Sequence, residues 1–182
     1  KDPKRYALEM QFWLMSRRFQ MHQEAIEFIW QTGKGVIMDR SIYGDAIFAK
    51  QNVTDGNINE IGYDNYMKMR DVMFRFLMVP QLTLFLEASP ETCLNRINSR
   101  ERGCESKIPL SYLEGLDLEY KKLLKELSKN GSQVDVIDWE KFRKTEDVLK
   151  ELQSKNLIPP NFTAFKKIPA APVTRNFGSL AS

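Results

Sequence analysis

At 182 residues, 42% of them hydrophobic and 28% charged, the chain has the size and composition of one soluble globular domain with a sizeable core. Its net charge of +3, from 27 basic and 24 acidic residues, is too small to argue for a nucleic-acid or membrane surface. No apolar run approaches the ~20 residues of a membrane span, and Lys1 to Arg5 offers no apolar segment that could serve as a secretory signal.

Pro3, followed by Tyr6, Leu8, Met10, Phe12 to Met15 and Phe19, opens a long helix with proline in its first turn. Apolar spacing of three and four continues to Trp30, and Gly33 supplies a left-handed cap. The short apolar run Val36 to Met38 reads as a buried strand of parallel type, followed by a helix to about Lys50 and a turn at Asp55-Gly56-Asn57. A helix is predicted from Tyr63 to Val79, stopped by Pro80. Leu82 to Leu86 reads as a second strand, and Ser89-Pro90-Glu91 starts the next helix with serine as cap. After a polar break from Glu101 to Lys107, Pro109 begins a helix with a leucine stripe that ends at Asn130-Gly131. Val134 to Ile137 is a third predicted strand, and a last helix runs from about Glu140 to Gln153.

Strands alternating with helices predict an α/β fold, a parallel sheet wrapped by crossover helices. The domain is expected over residues 1–156. From Leu157 the composition shifts to scattered Pro and Phe, so 157–182 is expected to be an extended tail. Cys93 and Cys104 flank an Arg-rich helix end and read as reduced thiols, which suits the cytosol or an organelle matrix such as that of mitochondria. The single His22 has no second His or Cys nearby, so no metal site is expected.

Several residue sets carry candidate chemistry. Asp39, Arg40 and Ser41 follow the first predicted strand, and in an open α/β sheet that edge faces the ligand. Asp45 and Phe48 share a face of the helix that follows. The plainer reading of the same residues is an Asp that caps a helix and an Arg paired at the surface. Gly33-Lys34-Gly35 is not a phosphate loop, because its glycines close a helix and feed a strand rather than the reverse. Arg96 and Arg100 lie one turn apart and Arg102 continues beside Glu105; guanidinium forks suit phosphate, while a basic helix end also complements the helix dipole. Gln11 and Arg18 sit two turns apart on one face, which fits either a base edge or an Arg paired with a surface acid.

Taken together, these residues resemble the deoxyribonucleoside kinases. The resemblance runs from Pro3 to about Phe142 and is carried by Gln11 with Arg18, then by Asp39-Arg40-Ser41-Ile42-Tyr43-x-Asp45-x-x-Phe48-Ala49. It continues through Ala88-Ser89-Pro90-Glu91-Thr92-Cys93-Leu94-x-Arg96-Ile97 and Arg100-x-Arg102-x-x-Glu105-x-x-Ile108-Pro109-Leu110-x-Tyr112-Leu113. It implies a three-layer parallel sheet of the P-loop nucleoside-kinase type, incomplete at its N-terminal side. The implied activity is transfer of the γ-phosphate of ATP, with Mg2+, to the 5′-hydroxyl of a deoxynucleoside.

By the same resemblance Gln11 pairs with the base edge, Arg18 with Asp45 completes base recognition, and Phe48 stacks on the base. Glu105 holds the sugar 3′-hydroxyl, and Arg40 sits by the 5′-hydroxyl. Arg100 and Arg102 form a lid over the phosphates, with Arg96 near the ATP base and phosphates. The Arg18–Asp45 pair looks like that of members accepting deoxycytidine or purine deoxynucleosides. Asp39 is similar to the bacterial deoxyadenosine/deoxyguanosine branch. The family's phosphate loop and general-base Glu have no counterpart in the quoted residues, so two readings stand. One is an active kinase, expected to be a homodimer, with those parts supplied by another stretch. The other is a non-catalytic kinase-fold subunit of a large assembly, such as the kinase-like accessory subunit of mitochondrial respiratory complex I.

Overall fold

The computed structural model describes residues 2–100 and 108–158. It forms two units, one over Lys1–Phe142 and a second that begins at Arg143. Arg102, Cys104 and Glu105, and nearly all of the expected tail, lie outside the described residues.

Helix α1 spans Pro3–Thr32. Asp2 caps it by accepting the Arg5 N–H, proline occupies the first turn, and Gly33 ends it at φ 66° with its N–H on the Ile29 carbonyl. A single 3-10 turn at Ile42–Gly44 leads into α2, Asp45–Thr54. Helix α3 is Glu60–Phe74, capped by Asn59, which accepts the Gly62 N–H at 2.7 Å. Strand β1 is Leu82–Glu87, α4 is Pro90–Ser99, α5 is Leu110–Lys129 and β2 is Gln133–Asp138. The two strands pair in parallel, in a register running from Leu82 opposite Gln133 to Glu87 opposite Asp138. Parallel pairing needs a crossover, and α4 and α5 form it. In the second unit α6 covers Thr145–Ser154, and Glu151 takes Arg143 at 2.7 Å and Lys155 at 2.8 Å.

The core of the first unit lies where α1, α2, α3 and α5 meet. Met15, Ile42, Tyr43, Ala49, Tyr66 and Leu127 are buried there, with Leu8, Phe12, Phe19, Leu123 and Val134 packed around them. On α1 the inward stripe is Gln11, Met15, Arg18 and His22, at helical spacing, so the buried seam of this helix carries three polar side chains.

Four expected boundaries change. Val36–Met38 is not a strand: its Ile37 is exposed, and among the described residues no third strand lies beside it to supply ladder hydrogen bonds. The expected three strands are therefore two. The helix after Asp45 runs past Lys50 to Thr54, because Asn57 and Ile58 N–H both turn back onto the Asn52 carbonyl beyond its end. The next helix stops at Phe74 rather than Val79, because tertiary bonds capture the backbone. The Tyr43 hydroxyl donates to the Met78 carbonyl at 3.1 Å, and the Met78 N–H donates to His22 Nε2 at 3.1 Å. The last helix begins at Thr145 rather than Glu140, since residues 138–140 are held against α4 by Arg96 and Glu140 itself.

The His22 bond requires a neutral ring with Nε2 free to accept, and burial lowers the pKa of this histidine from its ordinary value. A depressed histidine binds fewer protons folded than unfolded, so its contribution is present above about pH 6.5 and is lost as pH falls through the folded value. Denaturant unfolding at a series of pH values is expected to show wild type losing stability below about pH 6.5 relative to His22→Gln. Parallel curves for the two proteins would refute the assignment.

Candidate functional site

The site begins with the inward face of α1. Arg18 reaches across to the first residue of α2, where its Nη1 donates to Asp45 Oδ1 in a close ion pair and to the Ser41 carbonyl at 3.3 Å. Asp45 belongs in a first helical turn, where a carboxylate complements the dipole. It is 1% exposed. Burial raises its pKa to about 6, against the opposing pull of Arg18 and Arg40. Desolvation therefore outweighs the ion pair, even though the geometry of the pair is close.

Three polar atoms on the helices that carry or flank this pair are buried with no hydrogen-bond partner among the described residues: Gln11 Oε1 on α1, Asp45 Oδ2 on α2 and Tyr66 Oη on α3. An unmet buried polar atom costs about 1–3 kcal/mol. The carboxylate and amide oxygens are acceptors, so they suit a ligand that brings N–H donors. Burial, with the Asp45 charge, pushes the Tyr66 phenol well above its ordinary range and keeps it neutral.

Phe48, one helical turn beyond Asp45, holds its ring edge-on to Tyr120 at 6.3 Å between centroids. The Arg40 guanidinium lies 5.6 Å from the Phe48 centroid. Arg40 itself is left-handed, at φ 61°, a region that costs a non-glycine residue about 1–2 kcal/mol. Tyr120, on α5, also meets Phe85 of β1 at 5.8 Å, so one side chain links α2, α5 and the sheet.

The basic residues of α4 lie at a different place, the carboxyl end of the strands. Arg96 Nη2 donates to the carbonyls of Trp139 at 2.7 Å and Glu140 at 3.1 Å, and its guanidinium sits 4.4 Å from the centroid of the exposed Phe142 ring. Arg100 follows the last turn of α4 and is exposed. A cleft of about 290 Å3 opens there, lined by Glu87, Ser89, Asp117, Lys121, Asp138 and Glu140 among others. Its carboxylates are already engaged: Lys121 meets Asp117 at 2.9 Å and Glu87 at 3.7 Å, Asp138 accepts the Glu140 N–H at 2.8 Å, and Glu140 accepts Thr92 Oγ1–H at 2.6 Å. Among the described residues no group of three His, Cys, Asp or Glu side chains could hold a metal ion.

The structure thus brings Arg18 to Asp45, with Gln11 on the same seam, and Arg40 to Phe48. Arg96 and Arg100 stand apart on α4, and Arg102 and Glu105 fall outside the described residues. Three neighbours of the site escaped sequence reasoning: Tyr66, Tyr120 and Phe142. Tyr66 and Tyr120 sit at ordinary core positions of amphipathic helices, so periodicity hides them. Phe142 lies in a segment expected to be helical, and its pairing with Arg96 appears only in three dimensions.

Residues 1–158 match the family model of the deoxynucleoside kinases. The chain is 42% identical over 156 residues to a deoxyguanosine kinase of Dictyostelium discoideum, covering 86% of this chain and 55% of that protein. It is 34% identical over 170 residues to a deoxyadenosine kinase of the same organism, covering 89% of this chain and 67% of that protein. A solved deoxyadenosine kinase of M. mycoides with bound dCTP superposes with a TM-score of 0.69 at 25% identity, over 85% of this chain and 77% of that one. The chain belongs to the deoxynucleoside kinase family. Its helix-rich architecture with a parallel sheet is part of the P-loop kinase fold, and the chain spans about half the length of the deoxyguanosine kinase it matches. No helix among the described residues is long and apolar enough to cross a membrane.

The raised Asp45 carboxyl yields a stability prediction. Between the unfolded value near 3.8 and the folded value of about 6, the folded chain binds the extra proton, so stability falls as pH rises through that window. At 1.36 kcal/mol per pH unit the loss is on the order of 3 kcal/mol. Unfolding curves between pH 4 and 7 are expected to show wild type losing stability relative to Asp45→Asn as pH rises; identical slopes would count against it.

Proposed function

We propose that this chain carries the nucleoside site of a deoxynucleoside kinase that transfers the γ-phosphoryl group of ATP to the 5′-hydroxyl of a purine deoxynucleoside, with deoxycytidine as the next preference. The observation that carries the reading is the buried Arg18–Asp45 pair, with Asp45 Oδ2 and Gln11 Oε1 meeting no partner among the described residues. A buried ion pair rarely stabilises a core better than packed hydrocarbon would, so its retention beside open acceptors favours a ligand role. Asp45 and Gln11 would take the N–H donors of the base edge, and Phe48 would stack on its face. Purines are favoured because the relatives described above are named deoxyguanosine and deoxyadenosine kinases.

In this reading the 5′-oxygen forms a bond to the γ-phosphorus while the bond to the β–γ bridging oxygen breaks, ADP leaves, and the 5′-hydroxyl proton passes to a general-base carboxylate supplied by another stretch. Such transfer depends mainly on alignment and neutralisation of charge. Arg40 supplies a cation beside the sugar side of the Phe48 platform, and Arg100 with Arg102 would close on the phosphates. Glu105 would hold the 3′-hydroxyl. Phe142 beneath Arg96 offers an aromatic face for the base of ATP. Mg2+ would accompany ATP and add to that neutralisation.

The test is to incubate the protein with ATP and each of the four deoxynucleosides and to detect 5′-monophosphates. Deoxyguanosine and deoxyadenosine are expected to turn over fastest. Gln11→Leu is expected to lower kcat/KM by roughly 10- to 100-fold, the cost of about 1–3 kcal/mol for unpaired base donors. No turnover of any deoxynucleoside, with co-purification in a large assembly, would overturn the reading in favour of a non-catalytic subunit.

A homodimer fits the same reading. Helix α1 exposes Tyr6, Met10 and Trp13 along one face, and α3 exposes Met69 and Val72. Apolar surface of that kind marks an interaction face. Sedimentation is expected to give a dimer for wild type and a monomer for Trp13→Glu; a monomeric wild type would exclude the arrangement.

A further inference from the structure

We infer that Glu140 is a positioning residue for the phosphate donor: its carboxylate fastens the segment leaving β2 onto the start of α4 and thereby sets Phe142 against Arg96. The inference rests on the kinase reading for the identity of the donor, though not for the clamp itself.

The clamp has two halves. In one, Glu140 Oε1 accepts the Ser89 N–H, and Oε2 accepts Thr92 Oγ1–H at 2.6 Å and Ser89 Oγ–H at 3.4 Å. Ser89 is the N-cap of α4, and its own hydroxyl accepts the Thr92 N–H at 3.2 Å. The carboxylate therefore lies against N–H groups and hydroxyls at a helix start, where negative charge is favoured. Those hydrogen bonds, Thr92 first, hold the Glu140 carboxyl below its ordinary value, so it remains ionised. In the other half, Arg96 donates to the Trp139 and Glu140 carbonyls while its guanidinium faces the Phe142 ring. Asp138 stiffens the turn by accepting the Glu140 N–H at 2.8 Å.

The geometry makes Phe142 dependent on both halves. Its ring is 75% exposed, so no core packing fixes it, and its position follows from the backbone two residues earlier. Arg96 has two tasks that compete unless that backbone is anchored: bonding two carbonyls and covering one aromatic face. Glu140 supplies the anchor. With it removed, Ser89 and Thr92 turn to water and residues 138–142 lose their hold on α4. The stacking face for the donor base is then no longer preformed, and binding must bear the cost of ordering it.

The test compares wild type, Glu140→Ala, Glu140→Gln and Phe142→Ala by ATP titration calorimetry, by steady-state kinetics in both substrates and by melting temperature. Glu140→Ala is expected to weaken ATP binding and raise KM for ATP about tenfold, with kcat and KM for the deoxynucleoside within twofold of wild type. Glu140→Gln, which keeps an acceptor for the Ser89 N–H, is expected to recover most of the loss. Phe142→Ala is expected to match Glu140→Ala. ATP affinity unchanged in Glu140→Ala but reduced in Phe142→Ala would overturn the positioning role and leave the kinase reading intact. Equal losses for both substrates would also overturn it, as a general structural defect. Wild type that binds ATP more tightly than Glu140→Ala yet phosphorylates no deoxynucleoside would sustain the clamp and sink the kinase reading.

Discussion

The bond between Arg18 and Asp45 fixes the geometry on which the rest of the site depends. It joins the middle of α1 to the first residue of α2 and, through the Ser41 carbonyl, to the turn that precedes it. That single guanidinium sets the direction in which α2 leaves, and α2 then carries Phe48 one turn further along the same face. Asp45 is so thoroughly desolvated that burial overrides two nearby arginines in setting its proton affinity. A core composed only for packing would place hydrocarbon at these positions, as it does at Met15 between Gln11 and Arg18.

From that joint the first unit divides its chemistry between two ends. The helical end, where α1, α2 and α3 meet, holds buried acceptors that no group among the described residues meets. The strand end holds engaged carboxylates, Arg96 and the exposed Phe142 ring. Tyr120 spans the distance between them, with its ring against Phe48 on one side and Phe85 of β1 on the other. Helix α5, which supplies that tyrosine, begins just beyond the arginine-bearing segment, so covalent continuity and packing connect the two ends by one element.

How much of this could be read from the residues varies with the range of the forces involved. Helix α1 was legible from Pro3 to Gly33 because its start, stop and periodicity are local. Ser89 and Pro90 announced α4 for the same reason. Val36–Met38 misled because strand identity depends on neighbours, and an apolar triplet does not say whether a ladder partner lies beside it. The end of α3 misled because His22 and Tyr43, more than thirty residues away in sequence, take the backbone of Met78. Gln11, Arg18, Asp45 and Phe48 stand out as a set only through resemblance to a family; spacing alone favours the plainer alternative of a surface ion pair. Glu140 and Phe142 gave no signal at all, since their roles come from contacts with α4 across about fifty residues of chain.

Arg40 departs from local preference in the backbone itself. Most residues avoid a left-handed backbone, and glycine or asparagine would occupy it at lower cost than arginine. The chain nevertheless places arginine at φ 61°, exposed, directly before the Ser41 carbonyl that Arg18 grips and the 3-10 turn into α2. The surrounding bonds over-determine that turn and so hold the strained residue in place. The guanidinium lies over the Phe48 ring, 5.6 Å from its centroid. A guanidinium held over an aromatic ring by its own backbone has little further freedom to lose there, so the cation–π contact offsets part of that strain.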